Sequence, residues 1–247
     1  MTRYFVGLII ISIFISSCKK ESEHFASAQL SDYYPLEVGK YITYNLDSTV
    51  YYVNFGQKDS VMHYQAQDRV DALTTDNLGR PAYRILRFIR HNDTDPWAPN
   101  NTFMVVPAAN SIEFVENNLR YLKLQLPIKH EFSWKGNSFI DTYSNYTDVK
   151  YLEDWDYIYD SVGMPLTINS ITIDSTIKVF ERDEFLGQDP SIPGTQYAEK
   201  NYAVEKYGKD IGLIYKEFLH WEYQGAQPGR PAYYVGYGVK LSIIDHN

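Results

Sequence analysis

Short runs in which apolar and polar residues alternate dominate this chain. Alternation with a period of two is typical of a β-strand that buries one face, and most of these runs are rich in β-branched and aromatic residues. Turn-forming residues separate the runs, for example Asp47-Ser48 and the segment 75–80. The pattern predicts strands at 41–46, 49–53, 61–70, 83–90, 103–106, 111–115 and 119–126.

The C-terminal part of the chain shows the same pattern. It predicts strands at 211–223 and 233–244, joined by a turn at 224–231. Gly236 and Gly238 share one face of the last strand, which indicates a close approach by another segment or a curved sheet. The best candidate for a short helix is 176–186. We therefore predict an all-β fold, an antiparallel, strongly curved sheet or barrel-like domain with at most short helices.

Two segments of the chain resemble each other. Residues 34–41 and 126–134 both run from a proline through an aliphatic and a charged residue into an aromatic stretch. The match is short and can arise by coincidence or by duplication. We predict one β-rich domain over 32–247, and duplication would divide it into related halves near 32–120 and 121–247.

The first residues form an apolar run that is too short for a membrane span. A spanning helix needs about 20 apolar residues, whereas the run at 4–17 ends in Ser16-Ser17. Arg3 precedes the run and small residues follow it, which is the order of a secretory signal peptide. We predict a signal peptide over 1–17.

The only cysteine of the chain, Cys18, follows this run directly. The stretch Ile15-Ser16-Ser17-Cys18 resembles the lipobox of bacterial lipoproteins, which implies lipidation of Cys18 and cleavage before it. Several acyl chains on Cys18 would hold the protein on a membrane without a span. Lys19 stands where an aspartate would favour inner-membrane retention, so the expected location is the outer membrane, facing the periplasm or the cell surface. Residues 18–31 are then the lipidated cysteine and a flexible tether.

Composition narrows the classes of partner. The formal net charge is −8, and no cluster of basic residues extends beyond Lys19-Lys20, so nucleic acid is not an expected partner. Aromatic residues make up 16% of the chain, with 23 tyrosines. Tyrosine suits strand faces, barrel rims and binding surfaces alike, because its ring is apolar and its hydroxyl is polar.

Four phrases resemble those of uncharacterised lipoproteins of the Bacteroidota type. They are YYPLEVGKYITY, LPIKHEFSWKGN, WDYIYDSVGMPLTI and YGKDIGLIYKEF. In the last of these phrases, Asp210 stands where that family usually has a glycine. The resemblance covers nearly the whole chain after Cys18 and implies a β-rich fold with no known catalysis.

Candidate catalytic and metal-binding groups are few. The six histidines lack the spacing of a helical zinc pair. The loop 91–95 has two carboxylates at calcium-loop spacing, but Pro96-Trp97 replaces the remaining ligands, so a solvated turn is the better interpretation. The acidic stretch 153–160 could hold a cation or flank a sugar ring, although a strand with an acidic outer face explains it more simply. No nucleophile or nucleotide motif occurs, so we assign no catalytic, cofactor or metal residues.

Four serines match a short acceptor motif for O-glycosylation, in which serine or threonine follows aspartate and precedes a small or aliphatic residue. They are Ser48, Ser60, Ser161 and Ser175. The motif is short enough to occur by chance, and Asp-Ser is also a turn-forming pair.

Together these observations predict a lipid-anchored exported protein that acts as a non-catalytic binding module. Its expected ligand is a glycan or an apolar molecule. An accessory or scaffold lipoprotein of an envelope protein complex is the alternative, and a glycan-acting hydrolase ranks third.

Overall fold

The computed structural model describes residues 28–54, 57–145 and 147–247. One short helix, α1, precedes twelve strands, and a single 3-10 turn lies at Lys150–Leu152. The elements are α1 (Leu30–Tyr33), β1 (Tyr41–Asn54), β2 (Gln57–Thr75), β3 (Pro81–Arg90), β4 (Ala98–Pro107), β5 (Ser111–Glu116), β6 (Leu119–Gln125), β7 (Ser133–Lys135), β8 (Asp156–Ile168), β9 (Ile171–Gly187), β10 (Tyr197–Gly208), β11 (Gly212–Gln224) and β12 (Tyr233–His246). The predicted all-β, antiparallel, strongly curved fold is confirmed.

All twelve strands belong to one antiparallel sheet that curves into a nearly closed barrel. The order is β6-β5-β4-β3-β2-β1-β12-β11-β10-β9-β8-β7. The chain therefore makes two six-stranded meanders, β1 to β6 and β7 to β12, which join where β1 pairs with β12. The main core cluster takes residues from both meanders, for example Phe103 from the first and Tyr159 from the second.

The two outer edges of the sheet, β6 and the β7–β8 pair, are held together by a few hydrogen bonds. The Trp134 indole donates to the Leu122 carbonyl at 2.7 Å, and the Leu122 amide donates to the Gly136 carbonyl at 2.8 Å. The Tyr159 hydroxyl both donates to and accepts from the backbone of Gln125. These bonds satisfy edge groups that would otherwise be free to pair with another chain.

The segment before β1 lies against one end of the barrel. Leu30 and Tyr33 are buried, and the Tyr33 hydroxyl lies 3.0 Å from that of Ser175. Lys40 donates to the Asp210 carbonyl at 2.7 Å. The predicted tether 18–31 is therefore too long, because Leu30 already packs in the core. Within the described residues no helix is long and apolar enough to cross a membrane.

Two local predictions were wrong. Residues 176–186, the predicted short helix, lie within β9, where pairing with β8 and β10 overrides the local pattern. Asp47-Ser48 was predicted to separate two strands, but β1 continues through both residues. Their backbones pair with β2 and β12 on either side, so the turn-forming pair is held extended.

Gly236 confirms the expected close approach on β12. Its φ is +146°, a region that side chains disfavour, and a Cβ there would lie 2.2 Å from the His220 carbonyl oxygen of β11. Only glycine fits this contact.

Two β-bulges lie at charged residues of the barrel interior. In β6, Leu124 pairs with Ile112 and Leu122 with Glu113, so Lys123 is the extra residue. In β9, Arg182 pairs with Ala203 and Phe180 with Val204, so Glu181 is the extra residue. Both charged side chains are buried and contact each other.

Candidate functional site

A cavity of about 810 Å³ opens at the end of the barrel opposite to α1. This volume is within the range of ligand pockets, which is about 300–1,000 Å³. Its wall comes from both meanders and from the segment that joins β7 to β8. The lining residues used below are Arg87, Glu116, Tyr121, Lys123, Tyr151, Trp155, Tyr157, Glu181, Lys216, Phe218, His220 and Tyr237.

Aromatic rings line the outer part of this cavity, and we call Tyr151, Trp155, Phe218, His220 and Tyr237 the aromatic mouth. Tyr151 stacks on His220 with ring centroids 3.7 Å apart, and its hydroxyl lies 3.1 Å from that of Tyr237. Phe218 stacks between Tyr237 at 5.1 Å and Trp155 at 6.2 Å. Three of these rings come from neighbouring strands β11 and β12, where alternation places them on one face.

Charged side chains lie deeper, and we call Asp68, Arg87, Glu116, Lys123, Glu181, Glu205 and Lys216 the charged floor. At its centre the Lys123 ammonium lies 3.0 Å from Glu181 and 2.8 Å from Glu205. The Tyr207 hydroxyl donates to the other oxygen of Glu205. Lys123 thus bridges two carboxylates inside the barrel.

The pKa values of these three groups follow from their surroundings. Burial and the neighbouring Glu205 carboxylate raise the pKa of Glu181 to about 7, although Lys123 opposes this. Burial would also raise the pKa of Glu205, but Lys123, Lys216 and the Tyr207 hydroxyl outweigh it and lower the pKa to about 2. Burial would lower the pKa of Lys123, yet both carboxylates keep that pKa well above its ordinary value. The cluster therefore keeps its ammonium and the Glu205 carboxylate charged at neutral pH.

The remaining members of the charged floor differ in how closely they are paired. Arg87 makes two hydrogen bonds of 2.6 Å to Asp68, through Nε and Nη2. Lys216 lies 3.7 Å from Glu205 and 4.0 Å from Glu116. A smaller inner chamber of about 80 Å³ adjoins the main cavity here, because Arg87, Lys123 and Lys216 line both spaces. The barrel therefore contains a wide outer space and a narrow inner one, whose mostly apolar wall carries these charged groups.

The aromatic residues divide between core and cavity. Tyr44, Tyr159 and Tyr207 are almost fully buried and contribute to packing, and Trp155 and Tyr157 are equally buried although they border the cavity. By contrast, Tyr151 and Phe218 are half-buried along the cavity, and Tyr237 keeps 44% of its surface exposed.

None of the four serines predicted as modification sites lines this cavity. Cys18 and the signal peptide 1–17 lie outside the described residues. Ser48, Ser60, Ser161 and Ser175 lie within β1, β2, β8 and β9, all half-buried. They stay predicted acceptors.

The acidic stretch on β8 lies outside the cavity. Asp156 and Asp160 are exposed and pair with Lys135 at 3.1 Å and Lys178 at 2.7 Å, while Tyr157 and Tyr159 between them are buried. The simpler interpretation of an acidic outer face is therefore confirmed. In the part of the chain that the structure describes, no three His, Cys, Asp or Glu side chains form a metal-binding group.

Sequence reasoning missed the charged floor. Lys123, Glu205 and Lys216 each follow or precede apolar residues on strands, and a period-two pattern assigns such positions to the solvent face. One available indication was that Glu205 and Lys216 fall in the aromatic-rich strands β10 and β11, although that alone does not separate an interior from an outer face.

Comparisons with known proteins add little to this geometry. No protein-family model matches the sequence, and no curated protein matches it. A solved structure of a DUF1329 family protein from Desulfovibrio piger is 10% identical to this chain, with 86% of this chain and 87% of that chain covered. The TM-score is 0.20, so the likeness supports no conclusion about fold or function.

Proposed function

We propose that this chain is an exported, lipid-anchored binding protein that holds a small, ring-bearing polar ligand inside its barrel. The observation that carries the proposal is the cavity of about 810 Å³, which combines an aromatic mouth with a charged floor. A core that served packing alone would fill this space, because protein interiors are close-packed.

The aromatic mouth supports a ring as the part of the ligand that enters there. Phe218 and Tyr237 stack along one wall, with the buried Trp155 stacked on Phe218, and apolar rings pack against such walls. The Tyr151 and Tyr237 hydroxyls add polar groups at the rim. Convergent aromatic and hydroxyl groups are typical of small-molecule sites.

The charged floor favours a polar ligand over a wholly apolar one. An apolar chain that reached the floor would remove water from Arg87, Lys216 and Glu116, and desolvation of charged groups without new hydrogen bonds is costly. A sugar or a similar polar ring can replace the lost water with its own hydroxyl groups. Of the two predicted ligand classes, glycan and apolar molecule, we therefore prefer the first.

A binding role also agrees better with the carboxylate pair than catalysis does. Glu181 and Glu205 have pKa values shifted in opposite directions, as acid and base residues of enzymes do. However, Lys123 is hydrogen-bonded between them and both side chains are almost fully buried. A substrate would need to displace Lys123 to reach either group, so we propose no catalytic residue.

Replacement of Tyr237 tests the cavity. Purified full-length protein is screened by thermal shift against sugars, aromatic compounds and fatty acids, and hits are measured by calorimetry. Tyr237→Ala should weaken binding of a cavity ligand roughly fivefold, since one stacked ring is worth about 1 kcal/mol. The matched control is Tyr197→Ala, because Tyr197 is similarly exposed, at 37%, but does not line the cavity.

Three outcomes of this screen would change the proposal. No ligand in any class would favour the accessory or scaffold role. Equal weakening by both tyrosine variants would place the ligand elsewhere on the protein. Turnover of a bound glycan would favour the hydrolase.

The proposed anchor is Cys18, on the outer membrane. Its support is the Ile15-Ser16-Ser17-Cys18 stretch after a short apolar run, together with the resemblance to Bacteroidota-type lipoproteins. The barrel segment begins by residue 30, so a chain of about ten residues would connect the lipid to the domain. A partner protein in the envelope is compatible with this arrangement, and Ser48, Ser60, Ser161 and Ser175 remain proposed glycan acceptors.

Replacement of the cysteine tests the anchor. Cys18→Ser removes the sulfur that would be acylated, so the variant should leave the detergent phase on phase partitioning or accumulate as the unprocessed precursor. The parent chain should partition into detergent at the mature mass plus lipid. A variant that is matured and membrane-bound like the parent would contradict the lipoprotein assignment.

A further inference from the structure

Among the described residues, the charged floor contains one cation, Lys216, that forms no hydrogen bond with a protein group. Lys123 is hydrogen-bonded to two carboxylates, whereas the Lys216 ammonium lies 3.7 Å and 4.0 Å from its nearest carboxylate oxygens. Both distances exceed that of a hydrogen bond, and an ammonium has three donors. Lys216 is nonetheless well enclosed, with 19% of its side chain exposed.

The free donors of Lys216 face the cavity. Among the described residues, every fully buried side-chain nitrogen and oxygen has a hydrogen-bond partner. Lys216 lines both the main cavity and the inner chamber. Its ammonium is therefore in contact with the ligand space and available to an acceptor that arrives there.

Arg87 offers a second donor beside the same two spaces. Asp68 accepts from Nε and Nη2 of Arg87, which leaves Nη1 to donate elsewhere. Arg87 also packs its guanidinium over the Phe103 ring, with the carbon 4.8 Å from the centroid. Packing and pairing thus hold the guanidinium in place, so the remaining donor is preorganised.

The acids of the floor are mostly occupied. Asp68 is paired with Arg87, Glu181 with Lys123, and Glu205 with both Lys123 and Tyr207. Glu116 is the exception, and it lines both spaces as Lys216 does, with a side chain that is somewhat more exposed than that of Lys216. Two of the three incompletely paired groups, Lys216 and Arg87, are therefore donors, which favours an acceptor.

We infer that the ligand carries a carboxylate on its ring, and that Lys216 and Arg87 bind this carboxylate while the ring occupies the aromatic mouth. This inference rests on the proposed cavity function and adds the charge of the ligand to it. The shared chemistry, a ring with a carboxylate, occurs in acidic sugars and in aromatic acids.

The test compares each acid with its neutral counterpart on purified full-length protein. The probes are an oligosaccharide of galacturonate and its methyl ester, and benzoate-type acids and their methyl esters. Calorimetry should show the acid of one source binding at least tenfold more tightly than its ester, because a charge-assisted hydrogen bond is about twice as strong as a neutral one. The source whose acid binds more tightly identifies the ligand as sugar or aromatic.

Variants of Lys216 assign the contact. Lys216→Met should weaken binding of the acid roughly tenfold to hundredfold and leave the ester unchanged, since only the acid uses the ammonium. Lys216→Arg, which keeps the charge, should stay within a few fold of the parent. The matched control is Lys240→Met, because Lys240 is exposed and does not line the cavity. Thermal midpoints of all variants show whether each is folded.

The results distinguish failure of the carboxylate inference from failure of the proposed binding function. Esters that bind as tightly as acids, or acid binding that survives Lys216→Met, would overturn the carboxylate inference and leave the cavity function intact. A cationic ring that binds in place of the acids would overturn it in the same way and point to Glu116. If no ring of any charge binds and Tyr237→Ala has no effect on any ligand, the proposed function fails as well.

Discussion

Lys123→Met should destabilise the protein by about 3–5 kcal/mol, the cost of removing one partner from a buried ion pair. Lys123 is the cation that hydrogen-bonds both Glu181 and Glu205. Methionine fills a similar volume but leaves two carboxylates in the barrel, and burial then raises the pKa of both. Urea unfolding at pH 7, followed by far-UV circular dichroism on a chain that begins at residue 19, measures the loss.

A surface lysine provides the matched control. Lys178 pairs with Asp160 at 2.7 Å on the outer face, and exposed pairs contribute about 0–1 kcal/mol. Lys178→Met should therefore stay within about 1 kcal/mol of the parent. A triple variant with Lys123→Met, Glu181→Leu and Glu205→Leu should recover most of the loss, because it removes the charges together. A loss below 1 kcal/mol for Lys123→Met alone would show that the carboxylates are solvated rather than dependent on Lys123.

Most of the fold could be predicted from local pattern. Strand positions followed from β-branched and aromatic runs, and the turn at 224–231 from its Gly and Pro residues. The alternation on β8 placed Tyr157 inside and Asp156 outside, as observed. The pairing of β1 with β12 could not be predicted, because it joins residues nearly 200 positions apart and no local pattern encodes it. The helix predicted at 176–186 failed for a different reason, because pairing with the adjacent strands β8 and β10 overrides the local pattern.

The site could not be predicted, because a period-two pattern does not separate a polar face that lies inside a barrel from one that faces solvent. Alternation places Tyr121 and Lys123 on one face of β6, and this face lines the cavity. Ile177, Val179 and Glu181 likewise share the buried face of β9. A charged position on a strand of a barrel can point inward when a partner of opposite charge lies across the interior. That partner is distant in sequence.

The parent should lose stability as the pH rises from 4.5 to 8, and Glu181→Gln should remove this loss. The pKa of Glu181 in the folded chain is about 7, above its ordinary value of 4.5, because burial and the Glu205 carboxylate disfavour its charge. The folded chain therefore binds this proton more tightly than the unfolded chain does. Its contribution to stability is complete below pH 4.5 and is lost as the pH rises through 7.

The expected size of this effect follows from the pKa difference. One pKa unit is worth about 1.4 kcal/mol. The ionisation of Glu181 should therefore lower the free energy of unfolding by roughly 3 kcal/mol between pH 4.5 and pH 8. Glutamine carries no charge at any pH and can still accept a hydrogen bond from Lys123 through its carbonyl oxygen. The variant should therefore be more stable than the parent at pH 8, and the difference between the two should shrink toward pH 4.5.

The difference between parent and variant isolates Glu181 from other groups that titrate in this range. Burial lowers the pKa of His220, so His220 changes stability in the opposite direction, with stability lost as the pH falls through its unfolded value. His220 is present in both chains and cancels in the difference. Glu184→Gln, on the same strand but hydrogen-bonded to Arg182, serves as the matched control for replacing a glutamate of β9 with glutamine. Urea unfolding at five pH values from 4.5 to 8 checks the result, and a difference that stays constant over this range would mean that Glu181 titrates with its ordinary pKa.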